Sequence, residues 1–260
     1  MANTGYSVVN VAKIKDVIKS QISLNFSGSL GREPDIINVV SSLIYRESSF
    51  NPNSVSSTKI TGKNYLNSSA INAILTSPSL TGTQKANIEQ GLVATGLMQV
   101  MGYSFVRKSN PSGTSELERI RPELAAPLMV NPGESIRDHI LGEANIGKQI
   151  LAGLIILEGK YRLPQWNSAG YFSIKQDAFN RRFKSRLEGA VAAYIGLGRM
   201  DGNGTTPESY IATIFGGDSY QRANGKGSIY IRNSEINVAS TAGPSTNGST
   251  MSTITNAGCG

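Results

Sequence analysis

Apolar residues recur at helical spacing over several stretches of this chain. They stand three and four positions apart between Val8 and Phe26, and a second such run follows Pro34 and leads to Glu47. This spacing predicts amphipathic helices, the second of which ends at Asn51-Pro52. Further helices are predicted at residues 69–76, 84–92, 136–157, 187–195 and 207–215. Because the alternating pattern of strands is scarce, we expect a mainly α fold.

The order of these segments predicts three regions. Residues 1–30 hold an N-terminal packing helix, residues 31–230 form the main domain, and residues 231–260 form a tail rich in Gly, Ser and Thr. Such a tail cannot bury enough apolar surface to order itself, so we expect it to be flexible. Residues 58–95 are polar and turn-rich at both ends, and we interpret them as an insertion in the main domain.

Composition narrows the class of protein. The 260 residues are 39% apolar and 17% charged, which is typical of a globular chain. The longest apolar runs, such as 154–157, fall far short of the roughly 20 residues of a membrane helix, so we expect no membrane span. Residues 1–6 have no positive charge followed by an apolar stretch, so we expect no secretory signal peptide, and export, if it happens, would take another route.

The chain has few of the cysteine and histidine residues that bind zinc or activate a catalytic nucleophile. Cys259 and His139 are the chain's single cysteine and histidine, too few for a structural zinc site, and a Ser-His-Asp triad would depend on His139. Residues 201–204 begin like a calcium loop but lack the later glutamate, so a glycine-rich turn is favoured.

The chain carries a net charge of +7, which favours a polyanionic partner such as nucleic acid, a membrane surface or the bacterial cell wall. Residues 179–186 mix aromatic and basic side chains as a nucleic-acid surface does. Phe179 and Phe183 are four residues apart, however, and we favour a solvated helix face with both aromatics packed inward. We expect no specific nucleic-acid partner.

Glu47 is the first candidate for chemistry, because it ends an apolar helix. Counting back from Glu47 by helical steps reaches apolar positions: Ile44, Leu43, Val40 and Ile36. The carboxyl therefore shares the buried stripe, and burial raises the pKa of a carboxyl, which keeps a general acid for glycosidic cleavage protonated. Alternatively, Glu47 marks the helix end or pairs with Arg46.

A second segment, Gly-Leu-Met-Gln-Val at 96–100, complements Glu-Ser-Ser-Phe-Asn-Pro at 47–52. Together they resemble the soluble lytic transglycosylases, lysozyme-like enzymes that cleave peptidoglycan. Two further motifs stand in the family's order: Glu-Ala-Asn-Ile at 143–146, and Ala-Ala-Tyr at 192–194 followed by Pro-Glu-Ser-Tyr-Ile at 207–211. The resemblance covers about residues 35–215 and implies the goose-type-lysozyme-like α fold, with no metal or organic cofactor.

The resemblance implies roles for the matching residues. Glu47 would be the sole catalytic acid and base, and the product would carry a 1,6-anhydro ring on N-acetylmuramic acid. Ser56 would hydrogen-bond near the sugar's N-acetyl group, and Met98 and Gln99 would line the saccharide groove. Asn145 would fix a turn or helix start that faces the groove.

Two tyrosines complete the implied site. Tyr194 would contact and orient Glu47, and Tyr210 would form the wall behind it. Ordinary roles stay open beside the functional ones: core packing for Met98 and the tyrosines, a helix cap for Asn145, and a turn for Ser56.

The chain departs from the family pattern in three places. Ile195 replaces the asparagine that normally follows the tyrosine, Gly102 stands where a proline is frequent, and about forty residues separate Ser56 from Gly96. The insertion at 58–95 would therefore be an extra loop near the active site: a lid, a substrate arm or a contact with another protein.

Two other functions remain open. One is a goose-type-lysozyme-like muramidase, a hydrolase in which Asp201 would position water. The other is an inactive structural component of a virion or secretion apparatus. We expect peptidoglycan and structural proteins of a phage tail or secretion apparatus as partners. The expected location is a phage virion, in the tail or injected, with action in the host periplasm or cell wall.

Overall fold

The computed structural model describes residues 11–56, 78–79, 81–107, 115–163, 171–173, 180–182, 185–195 and 207–215. Over these residues the fold is mainly helical, as predicted. The predicted helix at 69–76, the glycine-rich turn at 201–204 with Asp201, and the tail at 231–260 lie outside them.

The described helices are α1 (Val11–Asn25), α2 (Ile36–Ser48), α3 (Gly82–Glu89), α4 (Glu116–Ile120), α5 (Pro122–Ala125), α6 (Ile136–Ile140), α7 (Ile146–Tyr161), α8 (Arg186–Ile195) and α9 (Pro207–Phe215). Short 3₁₀ turns lie at Leu30–Arg32, Gln90–Leu92, Gly102–Phe105, Ala126–Leu128 and Glu143–Asn145. Two antiparallel pairs are formed by strands β1 (Ala94–Thr95) with β2 (Val100–Met101) and β3 (Tyr171–Ser173) with β4 (Asn180–Arg182).

Helix α2 has the predicted buried stripe but ends earlier than predicted. Its core-facing residues include Val40, Leu43 and Ile44, which are completely buried. The helix ends at Ser48 because Ser49 and Phe50 adopt left-handed backbone angles, with φ of 50° and 61°. The prediction that the helix ends at Asn51-Pro52 is therefore wrong, because the helix ends about one turn earlier, at Ser48.

The single helix predicted over residues 136–157 is two helices, α6 and α7. Gly142, with φ of 94°, opens the 3₁₀ turn between them. This backbone angle is in the left-handed region that favours glycine, so the helix cannot continue through it. The apolar periodicity spans the break because apolar residues are buried on both sides of it, Ile136 and Ile140 in α6 and Ile150 and Leu154 in α7.

The second half of the predicted insertion packs against later residues. Thr81 and Gln84 form a capping box that begins α3, in agreement with the predicted helix at 84–92. The Asn87 side chain donates a hydrogen bond to the Gly133 carbonyl at 2.9 Å, and Gln90 Oε1 accepts one from the Arg137 amide at 3.0 Å. These bonds hold the end of α3 and the 3₁₀ turn after it beside the start of α6.

The prediction of a helix face over residues 179–186 is wrong for the described residues 180–182. Asn180–Arg182 form strand β4, and Arg181 pairs with Phe172 of β3. Helix α8 begins after this strand, at Arg186.

The chain divides into two compact units. One comprises the residues up to Arg46 together with those from Leu157 onward, and the other comprises Glu47–Ile156. Buried side chains in the first unit include Ile14, Leu30, Leu157 and Ile211, and those in the second include Leu97, Phe105, Leu117 and Ile155. The predicted domain boundaries at residues 30 and 230 stay predictions.

Among the described helices, none has the length and apolar character needed to cross a membrane.

Candidate active site

The two motif segments meet in the second unit, although about forty residues separate them in the chain. The Ser56 amide donates a hydrogen bond to the Ala94 carbonyl at 2.9 Å, and the Gly96 amide donates one to the Ser54 carbonyl at 2.8 Å. Val55 forms an antiparallel bridge with Thr95 between these bonds. The loop after Glu47 is therefore joined by backbone hydrogen bonds to the segment that enters the second motif.

The second motif forms the turn of a short hairpin. Strands β1 and β2 flank Gly96–Gln99, and the Gln99 amide donates to the Gly96 carbonyl at 3.1 Å. Gly96 has φ of 80° and Gln99 has φ of 48°. Glycine suits the first angle, whereas the second requires a non-glycine residue to hold a left-handed backbone.

Positive φ angles mark both motifs. Among the described residues other than glycine they occur at Ser49, Phe50 and Gln99. Each such residue costs on the order of 1–3 kcal/mol and persists only where the surroundings hold it. Phe50 is held by its buried ring. Strained backbone is concentrated at functional sites in proteins, so its restriction to these two loops supports a site between them.

Glu47 lies at the penultimate position of α2. Its side chain is half-buried, while Leu43 and Ile44 in the preceding turn are completely buried. Glu47 thus follows a buried turn of the helix but is itself less buried than the sequence predicted. A partly exposed carboxyl suits an acid that has to touch a substrate.

The Gln99 side chain contacts the backbone of its own turn and that of the segment just before Ser56. Gln99 Nε2 donates to the Gly96 carbonyl at 2.8 Å and to the Ser54 carbonyl at 3.3 Å. Both Gln99 and Ser56 are half-buried. The Gln99 amide therefore ties the hairpin turn to the loop after Glu47, and the predicted contacts of Gln99 and Ser56 with a saccharide stay predictions.

Met98 does not suit its predicted place along an open groove. Its side chain is 0% exposed, and a Cβ built on Gly153 of α7 would lie 2.2 Å from Met98 Sδ. The thioether fills the space that the missing side chain of Gly153 leaves. Met98 is therefore a core residue, the alternative role considered for it.

Asn145 lies in the turn before α7 and forms hydrogen bonds within it. Its Nδ2 donates to the Leu141 carbonyl at 2.8 Å, and its backbone amide donates to the Gly142 carbonyl at 3.1 Å. Helix α7 begins at the next residue. That this turn faces a saccharide groove stays a prediction.

Tyr194 and Tyr210 belong to the first unit, whereas Glu47 opens the second. Tyr194 is half-buried near the end of α8, and Tyr210 is buried in α9. The Arg46 guanidinium lies 5.9 Å from the centroid of the Tyr210 ring, close enough for a cation–π contact. The predicted contacts of both tyrosines with the catalytic glutamate stay predictions.

Gln149 belongs to none of the four sequence motifs, yet it contacts the backbone of two of them. Its buried side chain in α7 accepts a hydrogen bond from the Leu97 amide at 2.8 Å and donates to the Pro52 carbonyl at 3.0 Å. It also donates to the carbonyls of Ile140 at 2.8 Å and Gly142 at 3.2 Å. The sequence signal for it is a polar residue inside the otherwise apolar stripe of this helix.

Comparison with known proteins agrees with the position of the two motifs. Residues 34–129 match the family model described as the Transglycosylase SLT domain. No curated protein and no solved structure matches the chain significantly. The matched range holds Glu47, Ser56 and Gln99 and ends before Asn145 and the tyrosines.

This part of the chain is therefore a transglycosylase SLT domain, and the resemblance seen in the sequence is confirmed over it. The domain indicates a lytic-transglycosylase type of enzyme, with peptidoglycan as its substrate.

Proposed function

We propose that the protein is a peptidoglycan lytic transglycosylase that cleaves the β-1,4 bond between N-acetylmuramic acid and N-acetylglucosamine. One observation carries the proposal: within the SLT domain, the strained loop after Glu47 is hydrogen-bonded to the segment that leads into the Gly96–Gln99 turn. Both motifs that a saccharide site of this family needs therefore lie in one compact unit.

In the proposed reaction Glu47 acts twice. Its protonated carboxyl first gives its proton to the glycosidic oxygen, and the bond from that oxygen to C1 breaks. The resulting carboxylate then takes the proton of the C6 hydroxyl of the same muramoyl residue, and the C6 oxygen attacks C1. The proton of Glu47 is thus restored, no water is consumed, and the new chain end is a 1,6-anhydro ring.

The remaining site residues would hold the substrate. Ser56 would hydrogen-bond near the N-acetyl group, Gln99 would contact the saccharide, and Asn145 would shape the groove through its turn. Tyr194 would orient Glu47, and Tyr210 would stand behind it.

We further propose that the enzyme opens the cell wall locally as part of a phage virion or a secretion apparatus. The net charge of +7 would favour the approach to an anionic wall. Structural proteins of that assembly would be its partners, and the site of action would be the periplasm or cell wall of the host.

The direct test of the catalytic assignment is Glu47→Gln, measured as clearing of a purified peptidoglycan suspension. The amide has the shape of the carboxyl but no acidic proton, so activity should fall by at least about 10²- to 10⁴-fold. Glu123→Gln is the matched control, because Glu123 is an exposed glutamate of the same unit that lies outside all four motifs, and it should clear like the wild type.

Circular dichroism should show both variants folded. Equal clearing by folded Glu47→Gln protein would contradict the assignment. No clearing by the wild type would instead favour the inactive structural component.

A further inference from the structure

The side chain of Gln149 joins three separate pieces of backbone in the second unit. It is 2% exposed, and its amide bonds reach the loop after Glu47 through Pro52, the hairpin turn through Leu97, and the α6–α7 connection through Gly142. A buried amide that uses both its donor and its acceptor in this way rigidifies the groups around it.

The approach of Gln149 to the hairpin turn is close. A Cβ on Gly96 would lie 3.0 Å from Gln149 Oε1 and 3.1 Å from its Cγ, tighter than ordinary contacts. Gly96 also has φ of 80°, where other residues are strained. Glycine at this position thus provides both the turn and the room for the amide.

The two loops that Gln149 holds are the strained ones. Ser49 and Phe50 precede Pro52, and Gln99 follows Leu97, so each positive φ lies within three residues of a bond to Gln149. Backbone in such conformations relaxes unless it is held. The hydrogen bonds of Gln149 supply part of that restraint.

We propose that Gln149 is a positioning residue, which fixes the loop after Glu47 and the Gly96–Gln99 turn in the arrangement that catalysis needs. This inference rests on the proposed function. Gln149 itself does not touch the reacting atoms; it acts through the backbone of Pro52 and Leu97.

The first variant is Gln149→Met, which keeps the length of the side chain and removes every hydrogen bond. Misplacement of catalytic groups by about 1 Å costs about 10²-fold in rate, so kcat on soluble glycan strands should fall by about 10²-fold with little change in KM. Ile155→Ala is the control, because Ile155 is completely buried in the same helix and its truncation also destabilises the unit.

The second variant, Gln149→Glu, tests whether the hydrogen bonds themselves matter. The protonated carboxyl keeps an acceptor for the Leu97 amide and one donor for the carbonyls, whereas the carboxylate faces three carbonyl oxygens. Because burial among carbonyls favours the neutral form, kcat relative to the wild type should rise as the pH falls. A purely structural loss would leave the ratio of the two kcat values constant over the pH range in which both proteins stay folded.

Amide hydrogen exchange at Leu97 gives a readout independent of activity. Exchange should become faster in Gln149→Met and stay at the wild-type rate in Ile155→Ala, when both are measured well below their unfolding temperatures. Unchanged exchange at Leu97 in Gln149→Met would overturn the proposed restraint.

The outcomes separate this proposal from the proposed function. If the wild type is active and Glu47→Gln is not, but Gln149→Met keeps the wild-type kcat, this proposal alone fails. It also fails if Gln149→Met loses activity only to the extent that Ile155→Ala does. If Gln149→Met does not fold, the pH dependence of Gln149→Glu decides. An inactive wild type overturns both.

Discussion

Two ionisable side chains in the last turn of α7, Glu158 and Tyr161, each have a hydrogen-bond partner far away in the sequence. Glu158 is completely buried and accepts hydrogen bonds from Ser29 Oγ and from Arg162, the latter at 2.7 Å. The Tyr161 hydroxyl donates to a Glu33 carboxylate oxygen at 2.6 Å. Burial, followed by the bond to Glu33, raises the pKa of Tyr161 from 10.0 to about 12.

This shift predicts how stability changes in alkaline solution. The folded state keeps the Tyr161 proton to a higher pH than the unfolded state does, so its contribution is complete below pH 10 and is lost as the pH rises towards 12. The free energy of unfolding, measured by urea denaturation, should therefore fall across this window. In Tyr161→Phe the fall should be smaller, and equal slopes in the two proteins would contradict the predicted linkage.

Single residues differ in how far the sequence predicts them. Glu47 could be found because its place on the apolar stripe of α2 depends on helical spacing alone. The partial exposure of Glu47 could not be predicted, because it depends on where the helix ends. The left-handed backbone of Ser49 and Phe50 sets that end. The roles of Met98 and Gln149 could not be predicted either, because they depend on the tertiary packing of α7 against the hairpin turn.

At the scale of the element, α7 contains two glycines in opposite surroundings. A Cβ on Gly147 would meet nothing within 4 Å, whereas one on Gly153 would collide with Met98. Both positions lie inside the helix, where alanine is intrinsically favoured over glycine. We therefore expect alanine to stabilise the protein at position 147 and to destabilise it at position 153, where it would collide with Met98.

We predict opposite signs for the two alanine variants. Gly147→Ala should raise the free energy of unfolding by roughly 0.5–1 kcal/mol, because it restricts the unfolded chain without a clash. Gly153→Ala should lower it by about 1–3 kcal/mol, because Met98 must leave its site. Chemical denaturation of both variants measures the difference. Stabilisation by Gly153→Ala would contradict the packing of Met98 on α7.

Elements with long periodic patterns were predictable and short ones were not. Helices α1, α8 and α9 agree with the sequence within a few residues, because each has apolar residues that recur at helical spacing. The hairpin of β1 and β2 was missed, since strands of two residues are too short to show alternation.

At the scale of the whole molecule, the SLT domain covers the loop after Glu47 and the hairpin of β1 and β2, whereas Asn145, Tyr194 and Tyr210 lie outside the matched range. Tyr194 and Tyr210 come from the unit that the chain enters again after Ile156. The sequence could predict the order of the four motifs along the chain. It could not predict the division into units, because that depends on contacts between residues far apart in sequence.

The most direct test of the account is the chemical nature of the products that the whole protein releases from purified peptidoglycan, determined by mass spectrometry. A transglycosylase with Glu47 as its single acid and base should release muropeptides that end in 1,6-anhydro-N-acetylmuramic acid, each lighter by one water than the hydrolysis product. Glu47→Gln should release neither. Products with reducing ends throughout would contradict the account, favour the muramidase and make Asp201→Asn the next variant to measure.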